Sequence, residues 1–155
     1  MLAVLFPGQG SQVVGMGRDA FDASPAAREV FEAADAALGF ELTKICFEGP
    51  EDVLRQTENL QPAILTTSVA LLRALEEKQV LAPTYLAGHS LGEYSALVAS
   101  GSLSFHDAVR LVKARGSFMQ EAVPFGKGAM AAVLGATPEA LDDVCQRVSA
   151  ELGQV

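Results

Sequence analysis

Gly88-His89-Ser90-Leu91-Gly92 stands between two stretches of opposite character. Residues 84–87 read as a short strand, and residues 91–99 read as a helix that Ser100-Gly101 stops. A G-x-S-x-G element set between a strand and a helix has a definite chemistry. The sharp turn exposes the Ser90 hydroxyl, and glycines lacking a β-carbon let neighbouring backbone come close. The new helix aims its free N–H groups, and the positive end of its dipole, at the place where an oxyanion would form. Ser90 is therefore the candidate nucleophile, against the plainer reading of a serine tolerated in a turn.

Outward from this element the chain alternates strands and helices, the pattern of an α/β fold with a parallel sheet flanked by helices. Residues 2–6 form a wholly apolar run stopped by Pro7-Gly8, expected to be a strand buried on both faces. The loop Pro7-Gly8-Gln9-Gly10-Ser11-Gln12 follows. It is not a dinucleotide fingerprint, whose third glycine would fall at Val13, and no P-loop pattern exists. Either it offers backbone N–H groups to a ligand from the carboxyl end of a strand, or it is a simple tight turn.

Ser24-Pro25 reads as an N-cap with proline at the first helical position, and Gly39 closes that helix. Residues 40–59 read as a short helix and turns. A long helix is expected over 63–78, with Ile64, Leu65, Val69, Leu72 and Leu75 at core spacing and the small Ser68 on the same face. Ser104 with Asp107 opens another helix, running to about residue 122 before Pro124. On it Ala108, Leu111, Val112, Arg115, Met119 and Ala122 share one stripe. A buried cation without a partner is costly, so Arg115 is a snorkelling arginine, half of a structural ion pair, or a clamp for a ligand carboxylate.

Past Gly126 a strand over 129–134 and an acidic amphipathic helix over 138–150 read as the opening of a second, smaller unit. The expected division is 1–125 and 126–155.

Half of the 155 residues are hydrophobic and 19% are charged, which predicts a packed globule. The formal charge of −8 has the wrong sign for binding nucleic acid or an anionic membrane, and a soluble cytoplasmic protein is expected. Cys46 and Cys145 lie far apart with no histidine at ligand spacing, so they read as reduced thiols and no metal is expected. No secretory signal or membrane-spanning stretch is read.

Three motifs together resemble one family. Gln9-Gly10-Ser11-Gln12, Gly88-His89-Ser90-Leu91-Gly92-Glu93-Tyr94-Ser95-Ala96 and Ala114-Arg115-Gly116-Ser117-Phe118-Met119 follow the pattern of malonyl-CoA:acyl carrier protein transacylases. Acyltransferase domains of polyketide synthases look similar. The resemblance covers essentially the whole chain. It implies an α/β-hydrolase-like large subdomain followed by the start of a small ferredoxin-like one. It also implies that Ser90 takes a malonyl group from malonyl-CoA and passes it to the phosphopantetheine thiol of acyl carrier protein, in fatty acid biosynthesis.

By the same resemblance Gln9 and Leu91 form the oxyanion hole, Arg115 holds the malonyl carboxylate, His89 lines the acyl pocket, and no metal or resident cofactor is needed. The family's histidine base lies far downstream of its serine. His89 and His106 are poor substitutes, so the chain reads as the front of a protein about twice as long, incompetent alone. Arg110, Lys113 and Lys127 are candidates for a basic patch that docks the acidic carrier. The competing classes are an α/β-hydrolase-type esterase or thioesterase, which would give no reason for Arg115, and an inactive fragment serving as a binding module.

Overall fold

The computed structural model describes residues 1–123, 131 and 133–153, and the chain divides into units Met1–Pro124 and Phe125–Val155. The first unit runs β1 (Ala3–Phe6), α1 (Arg18–Ala23), α2 (Pro25–Leu38), α3 (Leu42–Glu48), α4 (Glu51–Leu54), α5 (Thr57–Glu76), β2 (Tyr85–Gly88), α6 (Gly92–Ala99) and α7 (Phe105–Ala122). The second contains α8 (Pro138–Leu152), capped by the Thr137 side chain, which accepts from the Ala140 N–H. On α8, Leu141, Val144 and Val148 form an apolar stripe, each more than 40% exposed. The strand expected over 129–134 falls largely outside the described residues.

β1 and β2 pair in parallel, with Phe6 opposite Gly88. The expectation that β1 is buried on both faces is corrected. Successive side chains of a strand point to opposite faces. Phe6 packs with Leu72 and Ala96, with Val4 and Leu86 beside them. On the other face Leu5 is 74% and Tyr85 60% exposed. Among the described residues, helices cover only one face of this ladder. An apolar run guarantees hydrophobic side chains on both faces, but burial depends on what packs against each.

The main core lies among the helices. Phe31, Leu54, Leu65, Val69, Val109 and Val112 are essentially inaccessible, and burying one such side chain contributes about 1.5–3 kcal/mol. Phe31 meets Phe47 and Phe21 at ring-centroid distances of 5.0 and 5.8 Å. Burial pushes the Cys46 thiol up to about 12, so it packs as a small apolar group rather than reacting as a thiolate.

α5 starts at Thr57, six residues before the expected position, and carries Pro62 inside it. Proline removes a backbone donor and usually stops a helix. Here every residue from Asn59 to Ala70 is buried, so tertiary packing holds the turn that local propensity opposes. Leu75, expected in the core, is 42% exposed. It lines an apolar cleft of about 480 Å³ between α5 and β1.

Ser24 caps α2 as expected, accepting from the Ala27 N–H. Its hydroxyl in turn donates to Glu77 at 2.7 Å, and the Ala26 N–H donates to the same carboxylate at 3.0 Å. These bonds, that from Ser24 foremost, hold the Glu77 carboxyl below its usual range. A carboxyl depressed in the folded state adds stability that is present above the unfolded value and lost as pH falls through the folded one. The melting-temperature difference between wild type and Glu77→Gln should therefore be largest near neutrality and shrink below about pH 4. A difference that persists undiminished in acid would rule this linkage out.

Candidate active site

β2 ends at Gly88 and α6 begins at Gly92, so the chain reverses within three residues. Ser90 sits at the apex with φ 52°, the one non-glycine at positive φ among the described residues. That conformation costs an L-residue roughly 1–2 kcal/mol. The glycines make the bend possible. A β-carbon on Gly88 would run into the Gly92 backbone, and one on Gly92 into the Phe6 carbonyl of β1.

The register of the ladder then brings the two loops together. Since Phe6 faces Gly88, the chain leaves both strands at the same end of the sheet, and Gly8 packs against the His89 carbonyl. Gln9 follows directly. Neither the Gln9 nor the Leu91 N–H donates a hydrogen bond among the described residues. Leu91 precedes the first turn of α6, where N–H groups lack helical partners and attract negative charge. His89 and Ser90 are both exposed.

Arg115 reaches the same place from α7. Its Nη2 donates to Ser90 Oγ at 3.2 Å and its Nη1 to Gln61 Oε1 at 2.6 Å. The guanidinium also lies 5.9 Å from the centroid of the Tyr94 ring. Among the described residues no carboxylate pairs with it. The ion-pair reading of Arg115 is thus set aside.

The stripe that contains Arg115 also needs correction. The buried face of α7 is Ala108, Val109, Val112 and Gly116, whereas Leu111 and Phe118 are 48% and 67% exposed. Two apolar faces run along this helix. One is core; the other, with Arg115 on it, lines an open groove of about 320 Å³.

Gln61 was not anticipated. It is fully buried on α5, and its amide also contacts Met119 Sδ at 3.3 Å. A signal existed, since a glutamine one turn before Ile64 and Leu65 falls on a core-facing helix only if the helix begins before Pro62.

Other expected residues stand apart. His106 lies on the first turn of α7, exposed, its Nδ1 3.7 Å from Asp107. Neither histidine hydrogen-bonds Ser90. Of the cations considered for carrier docking, Arg110 donates to the Ala37 carbonyl at 3.0 Å, Lys113 pairs with Glu58 at 3.1 Å, and Lys127 lies outside the described residues.

A serine held in a left-handed bend, two unused N–H groups and a cation beside its hydroxyl make up an arrangement suited to acyl transfer. The chain belongs to the acyl transferase domain family, which it matches over residues 4–152. It is 53% identical over 150 residues to the malonyl CoA-acyl carrier protein transacylase of Bacillus subtilis, covering 97% of this chain and 47% of that protein. Identity to the Escherichia coli K12 transacylase is 50% over 147 residues, covering 95% and 48%.

Among solved structures, the Clostridium perfringens transacylase superposes with a TM-score of 0.85 at 49% identity, covering 96% of this chain and 47% of that one. A malonyl-transacylase in complex with a type II polyketide synthase acyl-carrier protein superposes with a TM-score of 0.88 at 47% identity, covering 96% and 48%. The chain spans about half the length of the relatives it matches.

Proposed function

We propose that this chain carries the acyl-binding half of a malonyl-CoA:acyl carrier protein transacylase, with Ser90 as the nucleophile of an α/β-hydrolase-like elbow. The observation that carries the reading is the Arg115 guanidinium, free of any carboxylate among the described residues and 3.2 Å from Ser90 Oγ. In a malonyl ester on that oxygen, only three bonds separate Oγ from the distal carboxyl carbon, which therefore lies within about 4 Å of it. A planar fork beside the serine is placed to receive it bidentately. An esterase of the same fold has no use for such a cation.

Ser90 Oγ attacks the thioester carbonyl, its proton passes to a base, and the carbonyl oxygen takes the negative charge. The N–H groups of Gln9 and Leu91, which donate no hydrogen bond among the described residues, serve as its donors, and His89 is assigned to the acyl pocket. Collapse breaks the C–S bond and releases the coenzyme A thiol. The seryl ester then passes by the same steps to the phosphopantetheine thiol of acyl carrier protein. Since neither histidine of the chain hydrogen-bonds Ser90, we assign the base to the remainder of the protein, in keeping with relatives twice as long. The thioester is already an activated acyl donor, so the scheme calls for no metal or resident cofactor.

Residues 126–155 are read as the beginning of a small ferredoxin-like subdomain. The cytoplasm is the compartment that suits two free cysteines and these substrates. Fatty acid synthesis is the setting that the family resemblance implies, and the polyketide carrier in the solved complex makes polyketide synthesis the second reading.

A two-stage labelling experiment tests the scheme. The complete protein with labelled malonyl-CoA alone should form an isolable ester and release free coenzyme A. Added carrier protein bearing its thiol should then discharge the label. Transfer that occurs only when both substrates are present together would overturn the covalent scheme.

A further inference from the structure

A fully buried glutamine needs partners for its amide, and those it has are unusual. Gln61 Oε1 accepts from Arg115 Nη1 at 2.6 Å, while Nε2 rests on Met119 Sδ at 3.3 Å. Thioether sulfur is a weak acceptor, so the strong bond fixes which way the amide points. Arg115 and Met119 are four residues apart on α7, and one amide from α5 therefore bridges a single helical turn.

The approach that allows this is backbone-limited. A β-carbon on Gly116 would lie 2.6 Å from both Glu58 Cα and the Thr57 carbonyl oxygen. Arg115 is thus anchored by a neutral group where a carboxylate of the same shape would also fit. The chemical difference is decisive. A glutamate there would neutralise the guanidinium inside the protein, whereas the amide orients it and leaves its charge unspent.

We propose that Gln61 is a positioning residue that sets acyl selectivity, holding Arg115 by Nη1 while keeping its positive charge available to an acyl carboxylate. The inference rests on the reading of Arg115 given above. In the complete protein, malonyl and acetyl loading of Ser90 should be measured for wild type, Gln61→Glu, Gln61→Met and Arg115→Ala, alongside thermal melting.

Gln61→Glu should lower malonyl kcat/KM by roughly a hundredfold, as for loss of a charged partner, and leave acetyl loading within about threefold. Gln61→Met, which keeps the volume but frees the guanidinium, should cost about tenfold for malonyl alone. Should Gln61→Glu fail to fold, Gln61→Met carries the test.

Malonyl loading that is unchanged, or that falls in step with acetyl loading, would overturn the proposal. Arg115→Ala separates the two levels. If it too is unselective, the reading of Arg115 fails. If it is selective and the Gln61 variants are not, only the role of Gln61 fails.

Discussion

Ser90→Ala should leave the complete protein unable to carry a malonyl group, with transfer to the carrier thiol reduced on the order of 10⁴-fold or more, as when other serine enzymes lose their nucleophile. The bend at residues 88–92 presents one side chain at its apex, and only an oxygen there can form the ester. The alanine variant should fold at least as well as wild type, because the smaller residue leaves the glycine contacts of the bend intact. Peptide mass spectrometry after incubation with malonyl-CoA decides the matter. Recovery of a malonyl adduct at normal stoichiometry in the variant would show that the acyl group resides elsewhere.

Arg115→Ala should lower malonyl loading by about 3 kcal/mol, roughly a hundredfold, the usual cost of stripping a charged partner from a carboxylate. Acetyl loading should change little, since an acetyl group offers the guanidinium nothing to bind. Loss of the Ser90 contact at 3.2 Å bears on both acyl groups alike and so cancels from their ratio. Parallel kinetics with the two thioesters measure that ratio. If both activities fall together, Arg115 acts on Ser90 or on folding rather than on acyl recognition.

The two residues of these predictions are legible in sequence for local reasons. Ser90 stands in a five-residue pattern whose flanking strand and helix are themselves readable. Arg115 interrupts an apolar stripe within one helix, and a misplaced charge is conspicuous. Gln61 is different. Its bond to Arg115 joins residues 54 apart. The proline after it argues for a helix that starts later, which would put Gln61 in a loop. The burial of 59–70 overrides that local signal, and burial of this kind belongs to the tertiary structure.

The same limit explains β1 and the end of α5. Leu5 and Leu75 have the chemistry of core residues, but their exposure is set by neighbours that the local pattern does not reveal. The apolar stripe of α7 is real, though which of its two faces meets the core follows only from where α5 crosses it.

Gly116 fixes more than a helix crossing. Because α5 and α7 touch there through main-chain atoms, their separation cannot be tuned by choosing larger or smaller side chains. The anchor of Arg115 therefore behaves as the fixed jaw of a calliper. If Arg115 holds the acyl carboxylate as proposed, an acyl chain with a branch or extra methylene should find its room against the other jaw, where Leu111 and Phe118 border the open groove. Redesign toward bulkier carboxylated acyl groups should then have its freedom at those two positions and almost none along the line from Gln61 to Gly116.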